Sequence, residues 1–180
     1  MDAAWMPSSR AQMNCYARLK ACSASLAWDA LLIDHPIDLF YLTGLHLSRG
    51  RLLITRHSTH LFLDGRYLEA AKASAPCQVF PEKEWIPSAD AAGPRIGFDS
   101  TTVSYDAFQA LRMSLPGIEW IPAPSLLKMF RAKKDPEEIT LLKKAADLTR
   151  QGISHIKSLL VEGVTEEKLA LEFEVFCRLN

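Results

Sequence analysis

Arg51-Leu52-Leu53-Ile54-Thr55, then Arg56-His57-Ser58-Thr59, then His60-Leu61-Phe62-Leu63-Asp64, then Gly65-Arg66-Tyr67: this stretch decides the fold. Two apolar runs flank a short polar segment, which is the pattern of a β-hairpin. Gly65 then turns the chain into a helix through Tyr67, Leu68 and Ala71, stopped before Pro76. Working back, Ala30–Ile33 reads as a buried strand, and Pro36 opens a short helix that Gly44 closes. Cys15, Leu19, Cys22 and Leu26 recur at helical spacing, so a helix is expected from Asn14, a possible cap, to about Leu26. Working forward, Val79-Phe80, Arg95–Phe98 and Glu119–Ile121 read as strands. Ser104 is placed to cap a helix with Tyr105, Phe108 and Leu111 inward. Pro81, Pro87 and Pro94, with small residues between them, predict a loop with little structure over 81–94. Alternating strands and helices imply a mixed α/β layer domain.

The pattern changes after Pro122 and Pro124. No strand signal remains from Leu126 to Asn180. Asp135-Pro136-Glu137-Glu138 is a strong helix start, with a side-chain cap, proline at the first position and Glu138 able to reach back. Ile139, Leu142, Ala146, Thr149, Ile153, Ile156 and Leu160 then mark one face of a long helix ended by Gly163. Thr165 caps another, lined by Leu169, Phe173 and Phe176, with Glu166 and Glu167 near its positive end.

Lys plus Arg equals Asp plus Glu, 21 against 21, and hydrophobic residues make up 48% of the 180. That apolar share supports a real core and excludes whole-chain disorder. The charge balance removes the electrostatic case for nucleic acid or an acidic membrane surface. No apolar run is long enough to span a bilayer. Cys15, Cys22, Cys77 and Cys177 form no CxxC pair and read as small apolar side chains. Residues 1–13 read as a loose tail without a secretory signal, and a reducing, cytoplasmic location is the expectation.

Motifs for phosphate cradles, nucleophile elbows and zincin helices are absent. His57 and His60 invite a metal reading, but they bracket a turn and should project to different faces. Asp34, Asp38, Asp64 and Asp99 lie beside strands; an acid/base pair would require two of them close together, and loop capping is the simpler reading. Trp5, Trp28, Trp85 and Trp120 are dispersed without basic partners and read as core or lid residues.

Five segments, in order, carry a resemblance: Tyr41-Leu42-Thr43-Gly44; Asp64-Gly65-Arg66-Tyr67; Ile96-Gly97-Phe98-Asp99; Arg131-Ala132-Lys133-Lys134-Asp135-Pro136-Glu137-Glu138-Ile139; and Gly163-Val164-Thr165-Glu166. Together they resemble the N-terminal part of the creatinase, prolidase and aminopeptidase P family, the proline-specific branch of the pita-bread metallopeptidases. The resemblance runs over residues 14–180. It implies an α/β fold, a creatinase N-terminal-like mixed sheet flanked by helices over 14–130. Residues 131–180 would be a hinge and the first two helices of an incomplete pita-bread catalytic domain. In that domain the family binds two divalent ions (manganese, possibly cobalt or zinc) through two aspartates, a histidine and two glutamates.

All five ligands are expected beyond Asn180, so no catalytic or metal-binding residue is carried over and the chain alone is expected to be inactive. The resemblance implies a source enzyme acting on peptides with proline at the second position. It would be an Xaa-Pro aminopeptidase or, alternatively, a prolidase; creatinase and a non-catalytic, partner-binding homologue are further readings. Homodimers or homotetramers are implied, with no nucleic acid and no membrane as partners. Candidate cleft or interface residues are Tyr41, Asp64, Arg66 and Tyr67. The Asp64–Tyr67 motif reads first as a structural corner, and Arg131–Lys134, the hinge by resemblance, reads alternatively as a solvated charge run. The stretch 81–94 looks short of helix beside relatives, which puts lid or oligomer contacts there in doubt.

Overall fold

The structure, a computed structural model, describes residues 10–180, with side chains from Asn14 onward. The tail expected over 1–13 lies outside the described residues as far as residue 9. Residues 10–13 belong instead to the first helix, α1 (Arg10–Ala24). Arg10, Ala11, Gln12 and Met13 are all good helix formers, so the helix continues through Asn14 rather than starting there.

The described residues divide into two compact units between Arg131 and Ala132. The first contains β1 (Ala30–Ile33), α2 (Pro36–Thr43), β2 (Arg51–Thr55), β3 (Thr59–Leu63), α3 (Gly65–Ser74), β4 (Gln78–Pro81), α4 (Trp85–Ala91), β5 (Arg95–Phe98), α5 (Tyr105–Ser114), β6 (Glu119–Pro122) and α6 (Leu126–Ala132). The strands form one mixed sheet in the order β4-β3-β2-β1-β5-β6. Only β2 runs against its neighbours; β1 is parallel to β5, β5 to β6 and β3 to β4. The carboxyl ends of five strands therefore emerge at one edge of the sheet.

Strand side chains alternate between two cores. Leu31, Ile33, Leu52, Ile54, Leu61 and Leu63 pack with Leu19 and Cys22 of α1, Leu39 and Leu42 of α2, Ala71 of α3 and Leu127 of α6. Ala30, Leu32, Leu53, Phe62 and Ile96 face Trp85 and Ala89 of α4 and Leu111 of α5. Gly44 closes α2 at φ 72°, a conformation glycine adopts without a Cβ penalty.

Residues 81–94 are not a structureless loop. A 3₁₀ turn over Glu82–Glu84 leads into α4. Pro87 is the third residue of that helix, where a missing N–H costs no intrahelical bond. Trp85 and Ala89, four apart, bury the inner face. Helix α5 also departs from expectation: Ser104 accepts the Ala107 N–H as its cap, yet Tyr105 is 73% exposed. Phe108 stacks on Phe98 at 4.9 Å and Leu111 is buried, so the inward stripe starts one turn later.

The second unit is α7 (Pro136–Ser158) and α8 (Glu166–Leu179). Asp135 accepts the N–H groups of Glu137 and Glu138, and Glu138 accepts the Asp135 N–H, completing a capping box. The connection turns at Gly163, φ 84°, and Thr165 accepts the Lys168 N–H to start α8. The face of α7 turned to α8 centres on Gly152 and not on the apolar stripe. Ile139, Leu142, Ile153 and Leu160 are exposed, and the helix ends before Leu160. Gly152 is the buried position, and a Cβ there would lie 2.6 Å from Phe173 Cε2. A glycine that admits a ring against the backbone sets this seam, and apolar periodicity cannot register it.

The same kind of approach occurs in the sheet. A Cβ on Gly97 of β5 would lie 2.5 Å from Trp28 Cε3. Gly97→Ala should destabilise the fold by about 1–3 kcal/mol through overpacking. Gly65→Ala, where a Cβ meets nothing within 4 Å, should stay within about 0.5 kcal/mol of the parent. Urea unfolding followed by tryptophan fluorescence checks both.

Candidate functional site

The carboxyl edge of the sheet collects acids because the residue after a strand is an acid four times: Asp34 after β1, Asp64 after β3, Glu82 after β4 and Asp99 after β5. In open α/β sheets this edge is where ligands bind. Here three of the four, Asp64, Glu82 and Asp99, have defined partners. Asp64 caps α3 by accepting the Arg66 N–H at 2.9 Å, and its second oxygen accepts from the Arg66 guanidinium at 2.7 Å. That pairing holds the Asp64 carboxyl below its ordinary value. Tyr67 and Ser48 share a hydroxyl–hydroxyl bond of 2.8 Å, which lowers the phenol's value. Glu82 receives both Arg49 at 3.0 Å and Arg51 at 3.1 Å, and the Arg51 guanidinium lies 5.0 Å from the centre of the Trp85 ring.

Asp99 is pulled two ways. Burial raises its carboxyl, but hydrogen bonds from Thr101 Oγ1 at 2.6 Å, the Thr101 N–H at 2.8 Å and the Ser125 N–H at 3.3 Å prevail and lower it. Ser125 is held at φ 58° at this junction, an uncommon conformation for a residue with a side chain.

Asp38 lies in the first turn of α2 and is 2% exposed. Its Oδ1 stands 3.0 Å from Arg131 Nε, and its Oδ2 stands 3.4 Å from His35 Nδ1. Burial raises the Asp38 carboxyl, opposed by Arg131 and His35. Asp34 is raised for the same reason, with Arg51 opposing. Tyr41, one turn further along α2, donates its hydroxyl to the Phe130 carbonyl at 3.3 Å and carries the Arg18 guanidinium over its ring at 4.2 Å. Two residues of α2 thus hold the last turn of α6.

Of the four candidate residues, Asp64, Arg66 and Tyr67 form one corner, while Tyr41 makes these contacts at the α2–α6 end. The Asp38–Arg131 pair spans 93 positions of sequence, and no motif announced it; a buried acid in an otherwise apolar helix was the one available signal. His57 lies in the β2–β3 turn and His60 on β3, and among the described residues no group of three or more His, Cys, Asp or Glu side chains could hold a metal ion. The residues described therefore do not fit a two-metal centre.

A mixed sheet with one reversed strand, covered by helices on both faces and gathering capped acids at its carboxyl edge, defines an α/β scaffold domain. The sequence pattern of the creatinase/prolidase N-terminal domain family matches residues 16–133, and the chain belongs to that family. An uncharacterized peptidase of Bacillus subtilis, YqhT, is 24% identical over 168 residues, covering 89% of this chain and 48% of the relative. The structure of an Xaa-Pro dipeptidase from Bacillus anthracis is similar at TM-score 0.82 and 25% identity, over 93% of this chain and 49% of that one. The N-terminal domain of the cytoplasmic peptidase PepQ from Mycobacterium tuberculosis is similar at TM-score 0.55 and 31% identity, over 64% of this chain and 96% of that one. The chain spans about half the length, or less, of the curated relatives it matches.

The raised carboxyl of Asp38 sets a pH dependence. The folded state holds this proton more tightly than the unfolded chain, whose ordinary value is about 3.9. The resulting stabilisation is complete below that value and is lost as pH rises through the raised folded value. Asp38→Asn removes this contribution, so the variant's stability relative to the parent should increase as pH climbs from about 4. Chemical denaturation across that range checks it; a pH-independent difference would contradict the assignment.

Proposed function

We propose that this chain is the N-terminal portion of a proline-specific metallo-aminopeptidase that removes the residue preceding proline. The observation that carries the reading is the family match over residues 16–133 together with similarity to an Xaa-Pro peptidase over 93% of the chain. Solved relatives are named as dipeptidases and as aminopeptidases alike, and the dipeptidase at TM-score 0.82 supports prolidase as the second reading. An imide bond to proline lacks the N–H that ordinary peptidase sites engage, so a dedicated pocket is required.

In this proposal residues 14–130 restrict access to the cleft and contribute to oligomerisation. Residues 131–180 are the hinge and opening helices of the catalytic domain. Tyr41, Asp64, Arg66 and Tyr67 lie at the cleft or a subunit interface. Two divalent ions, manganese first, belong to the complete enzyme, and the setting is cytoplasmic, supported by the relative named as a cytoplasmic peptidase. No helix among the described residues is long and apolar enough to cross a membrane.

The product of the complete reading frame should hydrolyse Xaa-Pro substrates with manganese, whereas residues 1–180 alone should give no turnover. A dipeptide and a tripeptide with proline second distinguish the two peptidase types. Failure of the complete product on both, or turnover by 1–180, would overturn the reading.

Self-association is expected as well. Leu171, Val175 and Leu179 are exposed along α8, with Leu141, Leu142 and Val161 exposed on or after α7. Such a row of large apolar side chains favours burial against another surface. Light scattering of the 180-residue chain should give at least twice 20.1 kDa, and Leu171→Ser with Leu179→Ser should reduce it. A parent that is monomeric at micromolar concentration contradicts this.

A further inference from the structure

At the end of the sheet opposite the acids, a crevice of about 570 Å³ opens between the β2–β3 turn, the residue before β1 and the second half of α4. That size falls in the range of small-molecule sites. Leu53, Pro87, Ala91 and Ala92 supply an apolar wall, and Arg56, His57 and His60 supply nitrogen groups. Two of these groups, Arg56 and His60, are positioned by the fold, and His57 stands exposed on the turn beside them. A terminal nitrogen of Arg56 donates to the Leu26 carbonyl at 3.3 Å, which ties the guanidinium down beside the crevice. The His60 ring stands edge-on to Phe80 at 5.0 Å and to Phe62 at 6.3 Å.

The remaining polar groups are committed elsewhere. Ser88 donates to the Glu84 carbonyl at 2.8 Å. Thr55 Oγ1 accepts the N–H groups of His57 at 3.2 Å and Ser58 at 2.9 Å, and it bonds the Ser58 hydroxyl at 3.0 Å. The single acid of the lining, Asp29, accepts the Arg95 N–H at 2.9 Å. Its Cβ stands 2.7 Å from where a Cβ on Gly93 would be, so this carboxylate braces the turn before β5. An apolar wall beside a fixed guanidinium and two imidazoles suits neither a cation nor a purely apolar ligand, which would desolvate the guanidinium without a partner.

We propose that this crevice binds a small organic anion, a phosphate or carboxylate carried on an apolar ring, with the anion toward Arg56 and His57 and the ring against Leu53, Pro87 and Ala91. The site is on the far side of the sheet from the carboxyl edge and is independent of the peptidase reading. Arginine fits it because a guanidinium engages either group through paired N–H donors.

Phenyl phosphate and benzoate, titrated separately into the 180-residue chain by calorimetry and amide NMR, test the proposal and distinguish the two anions. Saturable one-site binding is expected for at least one, with shifts centred on residues 55–60 and 87–92. Arg56→Gln should weaken it by about tenfold or more, the loss of one charge-assisted contact. Ala91→Phe, which fills the crevice without changing charge, should abolish it. Both positions are exposed, so matching thermal melts show that the variants fold. No saturation by about 10 mM, a range beyond specific recognition, equal binding of neutral phenol, or unchanged affinity in either variant would overturn the proposal.

Discussion

A carboxylate that is 2% exposed requires a cation, and Asp38 obtains one from 93 residues away. Removing such a group from water is costly unless it is paired, so α2 and the end of α6 must come together for the fold to keep Asp38 where it is. The consequences extend outward. Arg131 is the last residue of the first unit. Tyr41 adds a second tie from α2 to the carbonyl of Phe130. The point where the chain leaves the α/β domain is therefore fixed by the first turns of a helix laid down early in the sequence.

The reversed strand explains the rest of the edge. With β2 antiparallel and five strands parallel, five carboxyl termini share one side, and β2 begins there with Arg51. Asp34, Asp64 and Glu82 thus meet Arg49, Arg51 and Arg66 as a matter of topology, while Asp99 is met by Thr101 and the Ser125 N–H. Caps and ion pairs absorb the negative charge: Asp64 and Asp99 are held low by donors, while Asp34 and Asp38 are raised by burial against the pull of arginines. Two carboxylates poised as acid and base would need opposed environments around one vacant position. Asp64 and Asp99 instead accept backbone N–H groups at a helix start and a turn, and Asp38 ties α2 to the end of α6.

Local signals carried most of the fold. Alternation and glycine placement marked the hairpin, and Asp64, Ser104, Asp135 and Thr165 mark helix starts at which each side chain does accept the backbone N–H. What local signals hid was anything set by close approach or by distance along the chain. Pro87 looked like a breaker because its position within the first turn of α4 was invisible. The α7–α8 seam was not legible because Gly152 counts as nothing in an apolar tally, yet it admits Phe173. Arg131 reads from the sequence as part of a hinge or of a solvated charge run, and neither reading foresees its buried partner Asp38.

The two glycines that admit aromatic rings show how specificity enters an otherwise generic layer fold. Many apolar residues of similar volume could fill either face of the sheet with little penalty. Gly97 against Trp28 and Gly152 against Phe173 allow no such latitude, because any Cβ would fall within 2.5–2.6 Å of a ring atom. Each fixes a ring against backbone, and therefore fixes the spacing of two segments rather than merely burying area. One such contact lies within the sheet domain and the other within the helical pair, so each unit carries its own register constraint. The hydrophobic pattern is sufficient to collapse each unit, and these backbone–ring contacts select a single packing within it.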